Sequence, residues 1–178
     1  KPALALRMLE KPLIRAAAMV AAGEAEALVA GATHPTRRVI EAAALTIGMA
    51  VGVETPSSFF LMRLPDGRAL IFADCAVNVA PDAAQLADIA RASAASAQAL
   101  LGSARLALLS FSTGDSGAGA SVARVRAASE ALRAVGLEAL GPVQADAALN
   151  PAIAARKGLD AAEPANVLIF PDLDAGNI

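Results

Sequence analysis

Asn166-Val-Leu-Ile-Phe-Pro-Asp-Leu-Asp-Ala-Gly-Asn-Ile178 reads as a buried strand that runs straight into a polar, glycine-containing turn. A short, fully apolar run of this kind reads as a buried-type strand of a mostly parallel sheet covered on both faces. Open α/β sheets gather their ligands at the carboxyl ends of their strands. Asp172, Asp174, Gly176 and Asn177 are therefore delivered to the place where such a fold builds a site. Another element is expected after this turn, so the chain reads as cut in mid-fold. Lys1-Pro-Ala-Leu at the start lacks an initiator Met and a signal-peptide pattern, and both ends are expected to be internal to a longer protein.

Working outward, the same alternation of strand and helix recurs. Leu106-Ala-Leu-Leu-Ser110 is a second buried strand, followed by the glycine-rich loop Ser112–Gly119 and a helix from Ser121 to Val135 that Gly136 stops. Pro81-Asp82 opens a long helix to about Leu101, with Leu86, Ile89, Ala90, Ala97 and Leu100 mostly on one side. Ser58–Leu64 and Ala69–Ala73 flank Pro65-Asp-Gly-Arg68, a turn that makes the pair a β-hairpin. Gln144–Leu149 leads into a helix near Pro151–Lys157. In the first part, a helix from Pro12 to Ala22 stops at Gly23, Ala27-Leu-Val-Ala-Gly31 reads as a strand, and Arg37–Ile47 reads as a helix ending at Gly48. The fold class is α/β, a mostly parallel sheet with helices on both faces plus a hairpin. A boundary falls at Gly52–Ser57, giving residues 1–56 as part of a first α/β domain and 57–178 as most of a second.

Composition removes several function classes. The 178 residues are 56% apolar, which is globular rather than disordered. Net charge is −2 with both signs interspersed, and Trp and Tyr are absent. There is no basic stripe for a phosphate backbone and few rings for stacking on bases, so nucleic acid is not an expected partner. One Cys and one His leave neither an internal disulfide nor a zinc ligand set, and no metal is expected. The single thiol fits a reducing, cytoplasmic setting. Charges and glycines interrupt every apolar stretch before the roughly 20 residues a membrane span needs.

Four polar clusters follow the apolar segments: Thr33–Arg38, Asp74–Asn78, Ser110–Gly119 and Asp172–Ile178. In a doubly wound sheet they are expected to converge on one crevice. Ser112-Thr-Gly-Asp-Ser-Gly-Ala-Gly119 fits a phosphate cradle of backbone N–H groups and hydroxyls, and equally a plain connector; it matches neither the P-loop nor the dinucleotide fingerprint, and Asp115 would repel an anion. Thr36, Arg37 and Arg38 suit an oxyanion at a helix start, and equally a solvated one. Cys75 reads first as a small buried apolar side chain, since no neighbouring His or Lys activates it. Asp174 reads first as the N-cap of a following helix. No Ser-His-Asp, paired-carboxylate or metal constellation follows from these spacings.

Phe72-Ala-Asp-Cys-Ala-Val-Asn78, Leu109-Ser-Phe-Ser-Thr113 and Val167–Ile178, in this order and spacing, resemble the phosphate acetyltransferase (phosphotransacetylase) family, with similarity from about Pro12 to the final residue. Ala27–His34 and Asp146–Leu149 add to it. The resemblance implies a two-domain enzyme of isocitrate/isopropylmalate dehydrogenase-like architecture, usually a homodimer, that transfers acetyl between coenzyme A and inorganic phosphate in an interdomain cleft. It implies coenzyme A and acetyl-CoA as substrates with acetyl phosphate as product, no prosthetic group, and direct attack by phosphate. The family's Ser-Arg catalytic motif lies beyond this chain, so catalytic residues are unassigned and the fragment alone is expected to bind rather than turn over. By the same resemblance Cys75 lines the cleft, Thr36 contacts the phosphate side, and Ser112, Thr113, Asp174 and Asn177 fall on motif positions near it. Arg37 or Arg38 would supply anion charge, because Glu41 stands where many members have arginine; Pro35 replaces a serine, and Gly114 or Asp115 a lysine. Rival readings are a longer-chain phosphate acyltransferase and a non-catalytic acyl-CoA-sensing domain.

Overall fold

Residues 2–160 and 162–178 are described by the structure, a computed structural model. The chain divides into two compact units, Lys1–Gly52 and Val53–Ile178. Unit 1 is helical. It contains α1 (Pro2–Leu9), α2 (Pro12–Ala21) and α3 (Thr36–Thr46), with α2 packed on both neighbours. Pro12 sits in the first turn of α2, where its missing N–H costs nothing. The Arg15 side chain donates to the Leu9 carbonyl at 2.9 Å and ties the two first helices together.

Unit 2 is a five-stranded sheet with helices on both faces. Its elements are β1 (Phe59–Arg63), β2 (Ala69–Ala73), α4 (Ala83–Leu101), β3 (Leu106–Leu109), α5 (Ala120–Ala134), β4 (Ala139–Val143), α6 (Ala145–Leu149), α7 (Pro151–Arg156), β5 (Val167–Ile169) and α8 (Leu173–Gly176). The strand order is β1-β2-β5-β3-β4. β1 pairs antiparallel with β2 as the expected hairpin, and the other three pairings are parallel. The last strand in sequence thus occupies the centre of the sheet.

Two apolar layers hold the helices on. Ile71, Leu108, Val167 and Ile169 meet α4 and α5 through Leu86, Ile89, Val125 and Leu132. Ala107, Leu109, Val143 and Leu168 meet α6 and α7 on the other side through Ala147, Ala148 and Ile153. Each large side chain fully buried here contributes about 1.5–3 kcal/mol. Asp82 and Gln85 form a reciprocal capping box at the start of α4, both bonds 2.9 Å, and Gly102 stops the helix at φ 74°. Asn166 places β5: its amide donates to the Ser103 carbonyl at 2.9 Å and its Oδ1 accepts from the Arg105 N–H at 2.7 Å.

Several elements differ from the sequence reading. Ala27–Gly31 is not a strand, since unit 1 offers no strand to pair with among the described residues, and Val29 is fully exposed. Pro2–Leu9 is a helix that the sequence reading left unassigned. Ala139–Val143 is a strand despite Gly141 and Pro142 within it, which its edge position permits. Leu100 is solvent-exposed rather than part of the α4 seam.

Candidate functional site

The parallel strands β2, β5, β3 and β4 end on one edge of the sheet, and β1 starts there, because Phe59 pairs with Ala73. Three of the four polar clusters therefore share this edge. Asp74, directly after β2, is its hub. One carboxylate oxygen accepts from the Ser58 N–H at 3.1 Å, the Ser58 hydroxyl and the Ala76 N–H at 3.1 Å; the other accepts from the Asn78 N–H at 2.7 Å and the Asn78 side-chain amide. Asp74 is 3% exposed. Burial alone would raise its pKa, but the hydrogen bonds from Ser58, Ala76 and Asn78 outweigh it and hold the carboxyl below the usual aspartate range.

Cys75 is fully buried and its thiol donates to the Phe72 carbonyl at 3.2 Å. Burial pushes this thiol up and the Asp74 carboxylate adds to the rise, while a backbone hydrogen bond at Phe60 opposes both. A protonated, enclosed thiol is a packing group, not an activated nucleophile.

The loop after β3 is closed by its own side chains. Ser112 and Thr113 are both buried. Ser116 accepts from the Thr113 N–H at 3.0 Å and its hydroxyl lies 3.2 Å from that of Ser112. The Thr113 hydroxyl donates to Oε1 of Gln144, the residue after β4, at 3.2 Å and accepts from the Gln144 N–H at 3.1 Å. Asp115 does not stand as a bare charge, because Arg126 donates to it at 2.9 Å and to the Gly114 carbonyl at 3.0 Å. Arg126, Gly117 and Gly119 line a cavity of about 470 Å³ at the start of α5.

The closing turn packs on the hub. Leu173 N–H donates to the Val79 carbonyl at 3.0 Å, and Gly176 lies so close to the Asp74 carbonyl that a Cβ at this position would overlap it. The N-cap here is Asp172, not Asp174: Asp172 Oδ1 accepts from the Ala175 N–H at 3.0 Å, which leaves Asp174 exposed within the short helix. Asn177 is also exposed. Arg124 donates to the Pro171 carbonyl at 3.1 Å, while its buried Nε–H has no partner among the described residues.

Thr36, Arg37 and Arg38 belong to unit 1 and are exposed at the start of α3. Glu41 accepts from Arg37 Nε at 2.8 Å and from Arg38 at 2.9 Å, so each guanidinium gives one N–H to it. The Arg37 guanidinium, with that of Arg38, holds the Glu41 carboxyl below its usual range. Thr33 and His34 are joined at 3.0 Å through hydroxyl and Nδ1.

Sequence reasoning singled out neither Ser58, Gln144, Arg124 and Arg126 nor the hub role of Asp74. For Asp74 a signal was present, an aspartate directly after a wholly apolar strand. The others act through residues far apart in sequence, and spacing carries no trace of them. Among the described residues no three His, Cys, Asp or Glu side chains gather as a metal set, and no helix is long and apolar enough to cross a membrane.

Comparison with known proteins gives a consistent result. The family model described as phosphate acetyl/butaryl transferase matches residues 1–178. A phosphate acetyltransferase of Nitrosomonas europaea is 44% identical over 178 residues, covering 98% of this chain and 26% of that protein. One from Pseudomonas aeruginosa is also 44% identical, with 98% and 25% covered. The chain thus spans about a quarter of the length of these curated relatives. A phosphotransacetylase structure from Streptococcus pyogenes superimposes with a TM-score of 0.85 at 35% identity, covering 96% of this chain and 54% of that one. The EutD phosphotransacetylase of Staphylococcus aureus gives 0.78 at 37% identity, with 93% and 52% covered.

Proposed function

We propose, from the premise that this chain belongs to the phosphate acetyl/butaryl transferase family, that it forms part of a phosphate acetyltransferase exchanging acetyl between coenzyme A and inorganic phosphate. The observation that carries the reading is the family match along the whole chain, joined to 44% identity with relatives named for this activity. In the reaction a phosphate oxygen attacks the thioester carbonyl, the C–S bond breaks, and the thiolate of coenzyme A leaves and takes up a proton. Such a step needs donors that hold the phosphate beside the carbonyl, and a group that manages the thiol proton.

The buried, protonated Cys75 supports direct attack over an acyl-cysteine intermediate. Coenzyme A enters as a substrate and no prosthetic group takes part. Substrate binding is assigned to Thr36, Arg37 and Arg38 on the phosphate side and to Asp174 and Asn177 at the closing turn. Cys75, Ser112 and Thr113 support the turns that shape the carboxyl edge of unit 2. A cytoplasmic homodimer is part of the same reading, as is the division into two domains at about residue 56. One observation favours a second reading, a domain that senses acyl-CoA without turnover: Glu41 already draws on both arginines.

The test is an assay of the protein that contains this chain, with acetyl phosphate and coenzyme A supplied and thioester absorbance followed. Phosphate-releasing thioester formation is expected. Absence of turnover while acetyl-CoA still binds would replace the enzyme by the sensor.

A further inference from the structure

A cavity of about 450 Å³ lies within unit 1, lined by residues of α1, α2 and α3. Ile14 and Leu45 give it an apolar wall, Lys11, His34 and Arg38 bring basic groups to it, and Glu41 is the one carboxylate among its described lining residues. The same Glu41 holds Arg38 at 2.9 Å and, one position earlier on the helix, Arg37 at 2.8 Å. Resting on the acyl-transfer reading above, we propose that Glu41 is a specificity-determining residue, a tethered carboxylate that competes with an incoming oxyanion for Arg38, which lines the cavity, and for Arg37 beside its mouth on the exposed start of α3, and so sets the anion affinity of this face of unit 1.

Three physical points carry it. Glu41 sits three and four residues from the arginines, the helical spacing at which side chains meet, so it needs no backbone movement to reach them. Its carboxyl is held in the charged form by the same two guanidiniums, so the competitor is always present at neutral pH. The ion pairs are solvent-exposed and therefore weak, which means an oxyanion of higher charge and more acceptor oxygens can displace the carboxylate, whereas a monocarboxylate gains little by doing so. The cavity would then discriminate for phosphate over carboxylates through the strength of an anion already in place.

The experiment compares the protein containing this chain with Glu41→Gln and Glu41→Ala, measuring KM for phosphate and for acetyl-CoA separately. Both variants are expected to lower the phosphate KM about threefold to tenfold, the range that two exposed ion pairs allow, and to leave the acetyl-CoA KM unchanged. The gain should vanish when Arg37→Gln and Arg38→Gln are added, because the two guanidiniums that Glu41 holds are then gone. An unchanged phosphate KM in both variants, or a gain that survives loss of the arginines, overturns the inference. If no variant and no parent forms acetyl phosphate, the acyl-transfer reading fails on its own. Equilibrium dialysis with inorganic phosphate then decides the inference: tighter binding by the Glu41 variants upholds it and equal binding overturns it.

Discussion

Unit 1 and the carboxyl edge of unit 2 hold their polar groups by opposite means. In unit 1, Arg37, Arg38 and Glu41 meet in solvent on a single helix, where water competes with every bond and the side chains are free to change partners. At the edge of unit 2, Asp74 is enclosed, and the donors that converge on it come from the residues just before β1 and just after β2. The first arrangement is open to screening by salt; the second fixes backbone geometry.

The comparison is broken most directly at Asp74. Asp74→Ala strands the N–H groups of Ser58, Ala76 and Asn78 without an acceptor, and it should lower the unfolding free energy of unit 2 by about 3 kcal/mol or more, read from urea unfolding followed by circular dichroism. A loss below about 1 kcal/mol would mean that the edge is no more fixed than unit 1. The same carboxyl makes the effect pH-dependent. Its pKa is lower in the folded state, so its contribution is present above the ordinary aspartate pKa of about 3.9 and is lost as pH falls through the folded value. The stability gap between parent and Asp74→Asn should therefore narrow on acidification below that range.

Gly176→Ala is the next largest. The added Cβ would overlap the Asp74 carbonyl, a backbone atom that cannot swing away, and the expected cost is about 2 kcal/mol together with a weakened closing turn. Cys75→Ala sharpens the comparison further, since a packing group lost from a buried site costs about 1–2 kcal/mol while acyl transfer persists. Loss of turnover with full stability would restore a chemical role for the thiol. The smallest effect on folding belongs to Arg37→Gln with Arg38→Gln: the melting temperature should not move, whereas the phosphate KM should rise severalfold.

The same contrast explains what was legible in the sequence. Strands that are buried on both faces carry their own signature, and Leu106–Leu109, Ala69–Ala73 and Val167–Ile169 were readable for that reason. Ala27–Gly31 has the same composition but no partner strand, and pairing is a tertiary fact that an apolar run does not encode. Ala139–Val143 was hidden by Gly141 and Pro142. The glycine is there because the Ser129 hydroxyl and Leu108 come within 3.1 Å of where a Cβ would sit, a constraint visible only across the sheet. In unit 2 the turns after strands were identifiable, and in unit 1 so was the exposed, basic start of α3 at Thr36, Arg37 and Arg38. The placement of the cap on Asp172 rather than Asp174 was not, because either aspartate satisfies the local rule and the bond to Ala175 decides between them.

The central position of β5 has a consequence for the order of synthesis. Its neighbours β2 and β3 are made long before it, and neither pairs with the other in the finished sheet. Without β5, the β1–β2 hairpin and the β3–β4 pair share no strand pairing, and each has an open backbone edge flanked by side chains such as Ile71 and Leu108, with α4 packed on both. Open apolar edges recruit other chains. Val167-Leu-Ile169 pairs with both open edges at once, so neither fragment completes its sheet until β5 is in place.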